Sequence, residues 1–355
     1  MNRRQFLGGA LATGLAALAP SLAVAADTPA PSTYRPRLSG VRRVIVDTDP
    51  GNDDALAILF ALDAPSLQVE AITVCPGNLG PHYAQQVKNA LFLVDLAGKA
   101  GKVAVHAGVG RPILNRPYPI ATFIHGKFGL GRFEAPTVAQ AVDPEHAVDA
   151  MHRIVSSAPG EITILALGGL TNVAMALLKF PEMAKQLKGI VFVGGKYTAT
   201  GVSPSYNILV DPEAAHVVFT SGVTTTLVTG DAIRRDSILT DEDFAHIATF
   251  NTARSRFFIE SNDLRRTFEK TNRGTTGSTN PDSLAVATVI DPAIATVFMP
   301  LFIEIELQGE MTRGLLVHGK NIYTLEPTPP PNVDICLEVS HEPFRQMVFA
   351  TMNRV

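Results

Sequence analysis

The chain carries 355 residues, 46% of them hydrophobic and 18% charged, with a formal net charge of −3. Such a chain can bury a large core, and without a basic excess its composition argues against a nucleic-acid polymer as partner. Trp is absent, and the two cysteines, Cys75 and Cys336, each lie in an apolar strand-like run where a buried free thiol is the expected state.

The first residues are an address rather than fold. Arg3, Arg4, Gln5, Phe6 and Leu7 make a twin-arginine pattern, a Gly/Ala-rich apolar stretch follows, and Ala23-Val24-Ala25 supplies a small-x-small cleavage signature. The apolar stretch is too weakly hydrophobic for a membrane anchor. Residues 1–26 therefore read as a signal peptide, 27–40 as a Pro/Ser/Thr-rich flexible leader and 41–355 as one folded domain. The protein is expected to be exported, periplasmic or extracellular, with no membrane anchor once the signal is removed.

Strand-like and helix-like runs then alternate. Val44, Ile45 and Val46 form a short β-branched strand, and 55–62 is an apolar helix. Leu67–Val74 is a second strand, 82–96 a helix with Val87, Ala90, Leu91 and Val94 at helical spacing, and 103–108 a third strand. A long Pro-rich segment over 111–136 has the irregularity of a functional loop. Further on, 146–157 reads as a helix, 162–167 as a strand, 190–193 as a strand, 212–215 as a helix start with Pro near its first turn, and 225–229 as a strand. The pattern predicts one long helix over 240–270 carrying Phe250, Phe257 and Phe258, and a short helix over 283–290 with Asp282 as its N-cap. Segments 301–308 and Val333–Val339 read as antiparallel additions. Alternation of this kind predicts a single α/β domain of Rossmann-like, open type, with a mainly parallel central sheet, helices on both faces and right-handed crossovers.

The loop after the first strand is the most informative stretch. Asp47, Asp49, Asp53 and Asp54 fall within eight residues around Pro50-Gly51, at the carboxyl end of a strand where open α/β sheets bind ligands. So many like charges in a crevice call for a counter-charge, and an oxygen-ligated Ca²⁺ or Mg²⁺ fits better than a softer metal. The plainer alternative puts the acids in a turn and a helix cap. Other strand ends are small and polar: Pro76-Gly77-Asn78, Leu167-Gly168-Gly169, Gly194-Gly195 and Asn280-Pro281-Asp282. Asn78 is placed to bind a hydroxylated ligand or simply to make a turn. His125, between Ile124 and Gly126 in the long loop, suggests a segment folding over a ligand. There is no nucleophile elbow, Walker-A loop, dinucleotide fingerprint or zinc spacing.

These residues resemble the signature of the nucleoside hydrolase family, the calcium-dependent N-ribohydrolases. The run from Val46 to Ala55, Pro76-Gly77-Asn78, His125-Gly126, the stretch 167–172, Gly194-Gly195, Asn207 with 211–215, Asp282 with 284–287 and Thr312-Arg313-Gly314 follow the family's order. The resemblance implies hydrolysis of a ribonucleoside to free base and ribose. It implies that Asp49, Asp54 and Asp282 with the Leu167 carbonyl ligate Ca²⁺, and that Asp49 is also general base to the attacking water. Asp53, Asn78, His125 and Asn207 would bind substrate, with Asp47 supporting the ligands from behind. A homo-oligomer, dimer or tetramer, is implied as well.

Two departures stand out. The family often places a His directly before the Asp matched to Asp282, where it protonates the departing base; here Pro281 occupies that position. The stretch 200–207 lacks the Asn and Glu that normally grip the far side of the ribose. Two other readings stay open: a haloacid dehalogenase-type phosphatase, whose Asp-x-Asp loop this one matches poorly, and a non-catalytic periplasmic binder of ribosyl ligands.

Overall fold

The computed structural model describes residues 40–198, 204–318 and 329–355. Residues 1–39, which hold the predicted signal peptide and nearly all of the leader, lie outside the described residues, as do 199–203 of the ribose-grip stretch.

Six short strands alternate with helices: β1 (Arg42–Thr48), β2 (Leu67–Val74), β3 (Ala104–Ala107), β4 (Ile162–Ala166), β5 (Gly189–Val193) and β6 (Thr225–Val228). With β7 (Ala295–Leu301) and β8 (Val333–Val339) they form an eight-stranded sheet in the order β3-β2-β1-β4-β5-β6-β8-β7. All neighbours are parallel except β8 and β7, which pair antiparallel. Val333–Val339 makes the expected antiparallel pairing, with β7, and also runs parallel to β6, a second neighbour that its apolar pattern could not reveal.

The sheet is covered on both sides because its strands alternate. Val44 and Val46 of β1 enter one core with α1 (Asn52–Asp63), α2 (Tyr83–Leu96) and α11 (Pro281–Ile290), while Ile45 enters the other with α4 (Ala147–Ser157), α5 (Thr171–Lys179) and α7 (Pro212–Thr220). The long loop after β3 contains one helical turn, α3 (Thr122–His125), and α6 (Tyr206–Val210) leads into α7. Behind β6 runs α8 (Gly230–Asp236). The helix expected over 240–270 is two, α9 (Asp241–Phe250) and α10 (Ala253–Arg273), with α12 (His341–Met352) closing the chain. Asn251 ends α9 in the left-handed conformation, and the Thr252–Ser255 capping box restarts the backbone as α10. Asp282 is not the N-cap of α11. That position is Asn280, with Pro281 and Asp282 inside the first turn, so the Asp282 carboxylate is free for another role.

The chain leaves β1 toward β2 and β3, then returns to β4 on the other side of β1. This reversal opens the crevice between the loops after β1 and β4. Cys75 and Cys336 are both buried free thiols, as their apolar settings predict. Among the described residues no helix is long and apolar enough to cross a membrane.

Candidate active site

The acidic loop turns at the crevice. Asp47, last but one in β1, is fully buried; its Oδ1 accepts from Thr73 Oγ1 of β2 at 2.7 Å and from Asn172 Nδ2 of α5 at 2.9 Å. It ties three elements together beneath the loop. Its other oxygen is buried without a partner, and burial pushes the carboxyl up to about 7.

Asp49 points into the crevice, where Asn78 N donates to its Oδ2 at 2.7 Å and Asn78 Nδ2 to its backbone oxygen at 3.1 Å. Two glycines make room for it. A Cβ at Gly77 would lie 1.7 Å from Asp49 Oδ2, and one at Gly168 would lie 2.4 Å from Asp49 Oδ1. Asp54 sits in the first turn of α1, accepting from Thr48 Oγ1 at 2.5 Å and Gly51 N at 2.9 Å. The latter bond caps α1 from within.

Asp53 turns the other way, toward α10. Arg265 Nη2 meets its Oδ2 at 2.5 Å, and His125 Nδ1 lies 3.6 Å from its Oδ1. Burial would raise this carboxyl, but Arg265 and then His125 outweigh it and hold it below its ordinary value. Arg265 is itself fixed by bonds from Nε to Asn52 Oδ1 and from Nη1 to Thr279 O. Asn52 in turn donates to Ile124 O and Ser261 O, so one side chain pins α3 and α10 against α1. His125 is only 4% exposed, and burial pushes its imidazole down to about 4. It is therefore neutral at physiological pH and carries no proton to donate as imidazolium.

Asp282 brings a fourth carboxylate from the first turn of α11. Oxygens of Asp53, Asp54 and Asp282 all lie within 4.8 Å of one another, and all three residues are buried. Burial, then the Coulomb field of Asp53, pushes Asp54 up to about 7; burial, then Asp53, Asp54 and Asp49, drives Asp282 well above the carboxylate range. Burial and Asp54 do the same to Asp49. Arg265 offsets only part of this charge. The donors are all hard oxygens, so the nest fits a cation of the Ca²⁺ or Mg²⁺ kind.

On the far side, Asn207 of α6 donates to the Leu167 carbonyl at 2.5 Å and to Val193 O at 3.0 Å, spanning the ends of β4 and β5. Asp49, Asp53, Asn78, His125, Leu167, Asn207 and Asp282 all line one cleft of about 370 Å³. Asp47 and Asp54 lie beneath its floor. The acid cluster that the geometry gathers most tightly includes Asp53, whereas Asp49 is held slightly apart by Asn78.

Sequence reasoning overlooked Arg265 and Glu269. Both sit in the middle of a long polar helix, where charge usually means a solvated face. The available signal was spacing. Phe258, Ser261, Arg265 and Glu269 fall three to four residues apart, so the charged pair continues the face that Phe258 buries.

A family model described as inosine-uridine preferring nucleoside hydrolase matches residues 44–346. The inosine-uridine preferring nucleoside hydrolase of Crithidia fasciculata is 36% identical over 281 residues, covering 78% of this chain and 87% of that one. The pyrimidine-specific ribonucleoside hydrolase RihA of Photobacterium profundum is 32% identical over 306 residues, covering 85% and 96%. Among solved structures, a plant nucleoside hydrolase superposes with a TM-score of 0.81 at 28% identity, covering 88% of this chain and 99% of that one. A purine-preferring ribonucleoside hydrolase from Gardnerella vaginalis gives 0.79 at 28% identity, with the same coverage.

Proposed function

The chain belongs to the inosine-uridine preferring nucleoside hydrolase family, and on that premise we propose that it hydrolyses the N-glycosidic bond of a ribonucleoside with Asp49 as general base at a Ca²⁺ site. The observation that carries this reading is the buried carboxylate nest at the sheet's switch point, opening into a cleft of about 370 Å³.

Asp49, Asp54 and Asp282, with the Leu167 carbonyl, are the groups that would hold the cation, which when bound neutralises the nest and acidifies water. Asp49 is the base: its Oδ2 is fixed by the Asn78 amide, and it takes the proton from the water that attacks C1′. Asp53, pinned by Arg265, accepts the ribose 2′-hydroxyl and stabilises the positive charge that grows on the ring as the bond breaks. Asn78 and Asn207 bracket the sugar from the β2 and β5 sides. His125, neutral and buried, stands with its Nδ1 3.6 Å from Asp53 Oδ1, as a wall of the cleft rather than an acid. Asp47 holds β1 to β2 and α5 so that the loop keeps its shape.

The same reading places the protein outside the cytoplasm, exported by its twin-arginine segment, as a homo-oligomer acting on small nucleosides. A panel of ribonucleosides assayed for released ribose tests it: inosine or uridine should be cleaved by the wild type and not by Asp49→Asn. Release of phosphate from phosphate esters, with no ribose from any nucleoside, would sink it.

A further inference from the structure

The three carboxylates gathered most closely in the nest are not the three assigned to Ca²⁺. Oxygens of Asp53, Asp54 and Asp282 lie within 4.8 Å of one another, and Asp49 is not in that group. Two oxygens bound to one Ca²⁺ at about 2.4 Å each stand at most about 4.8 Å apart. Distance alone therefore leaves Asp53 within reach of the ion. What else holds this carboxylate decides whether it serves the cation or the sugar.

Arg265 holds it. Its Nη2 donates to Asp53 Oδ2 at 2.5 Å and its Nε to Asn52 Oδ1 at 3.1 Å. These two nitrogens form one edge of the guanidinium, so a single fork spans two consecutive side chains of α1, which an ammonium group could not do. On the other side Nη1 donates to Thr279 O at 3.1 Å. Asn52 is itself tied to Ile124 O at 3.1 Å and Ser261 O at 3.2 Å. Arg265 is buried, and letting go of Asp53 by swinging away would leave Asn52 Oδ1 and Thr279 O without this donor. Burial alone would loosen its proton, but Asp53, then Glu269 and Asp282, outweigh burial and keep it charged.

The pair leaves Asp53 with one oxygen engaged and one open. Asp53 Oδ1 is buried without a partner, and so is His125 Nδ1, 3.6 Å away. Both residues line the cleft. With its charge matched by Arg265, Asp53 adds little attraction for a cation, and the guanidinium beside it repels one. A hydroxyl is neutral and donates a single hydrogen, which suits the open oxygen.

We propose that Arg265 is a specificity-determining positioning residue: by occupying Asp53 Oδ2 it withholds Asp53 from the cation and leaves Oδ1 to the ribose 2′-hydroxyl. The sugar half of this assignment rests on the N-ribohydrolase reading; the cation half stands apart from it. Arg265 touches no reacting atom. Without it the same carboxylate turns to the nest as a further negative ligand, and the 2′-hydroxyl loses its acceptor.

Three measurements test it. Ca²⁺ is titrated calorimetrically into metal-free wild type and Arg265→Gln, both are assayed on uridine and inosine against their 2′-deoxy counterparts, and the Ca²⁺-loaded wild type is crystallised. Arg265→Gln should bind Ca²⁺ about tenfold more tightly, because affinity follows the number of charged ligands. The wild type should favour the riboside by about 10- to 100-fold in kcat/KM, the worth of one hydrogen bond to a charged group, and the ratio should fall to within about threefold of one in Arg265→Gln. Tighter Ca²⁺ with an unchanged ratio means that only a repelling charge was removed, and overturns the proposal. A wild-type ratio near one overturns it too, as does Ca²⁺ affinity that stays the same or weakens in the folded variant. Should Arg265→Gln fail to fold, the loaded wild type decides. Arg265 still bonded to Asp53, with neither Asp53 oxygen on the ion, supports the assignment, and an Asp53 oxygen at about 2.4 Å from the ion refutes it. If the wild type cleaves none of the four nucleosides, the hydrolase reading fails, and the calorimetry and the loaded structure judge the hold on Asp53 alone. A wild type that binds no Ca²⁺ overturns it outright.

Discussion

Gly77→Ala isolates the way Asp49 is held. A Cβ at this position would stand 1.7 Å from Asp49 Oδ2, so the oxygen must retreat by as much again to reach ordinary contact at 3.4 Å. The backbone there is not in the left-handed region, so the methyl acts through Asp49 and not through backbone strain. Retreat breaks the 2.7 Å bond from Asn78 N. A hydrogen bond to a charged group contributes about 1.5–3 kcal/mol, and misplacing a reacting group by about 1 Å costs about 10²-fold in rate. We expect kcat/KM for ribonucleoside hydrolysis, followed by released ribose, to fall by about 10²–10³-fold, with the circular dichroism of the wild type and a modest loss in Tm. In an Asp49→Asn background the same methyl should add less than about threefold, since the group it displaces has already lost its function. A Gly77→Ala enzyme within threefold of wild type and with unchanged Tm would refute the reasoning.

Asp49→Asn alone should lower kcat by at least about 10³-fold and leave the fold intact; residual activity within tenfold would assign the base elsewhere. p-Nitrophenyl riboside, whose leaving group needs no proton, should be cleaved about 10²–10⁴-fold faster than inosine or uridine, and equal rates would reveal a general acid. Asp211→Ala should cost about 2–4 kcal/mol, read as a lower Tm. That carboxylate caps α7 through Ala214 N and also accepts from Thr171 Oγ1 and Ile113 N; an unchanged Tm would contradict this. Burial raises the Asp211 carboxyl above its ordinary value despite those bonds. The stability its protonated form contributes is thus present below the unfolded value and is lost as pH rises through the folded one. Asp211→Asn should therefore become less destabilising, relative to wild type, as pH rises above about 4; a difference in Tm that grows over that range would contradict the sign.

Much of the fold was legible because buried parallel strands are written as continuous apolar runs. Val44 to Val46, Leu67–Val74 and the run at 162–167 could hardly be anything else, and the order of their loops put the acids at one sheet edge. Pairing was less visible. Val333–Val339 has the same alternation whether its neighbour runs with it or against it, and only tertiary packing placed it beside β6. The break at Asn251 was hidden because Phe250, Phe257 and Phe258 keep helical spacing across it. At the site, Asp49, Asp53 and Asp54 were readable from their crowding, and Asp282 from its small, polar segment ahead of an apolar helix, its part as a cation ligand being implied only by the resemblance. Arg265 could not be weighed from sequence in the same way. Its meaning depends on Asp53, a residue 212 positions away in the chain, and on burial that a polar helix does not announce.

The most direct test of the central claim is calcium-dependent turnover. The purified protein, stripped with a chelator and assayed for ribose release from inosine and uridine, should lose activity to background. Activity should return with added Ca²⁺ at about one ion per chain, and Asp282→Asn should raise the Ca²⁺ concentration needed. Full turnover in chelator with no bound metal, or recovery only with a stoichiometric transition metal, would contradict the account.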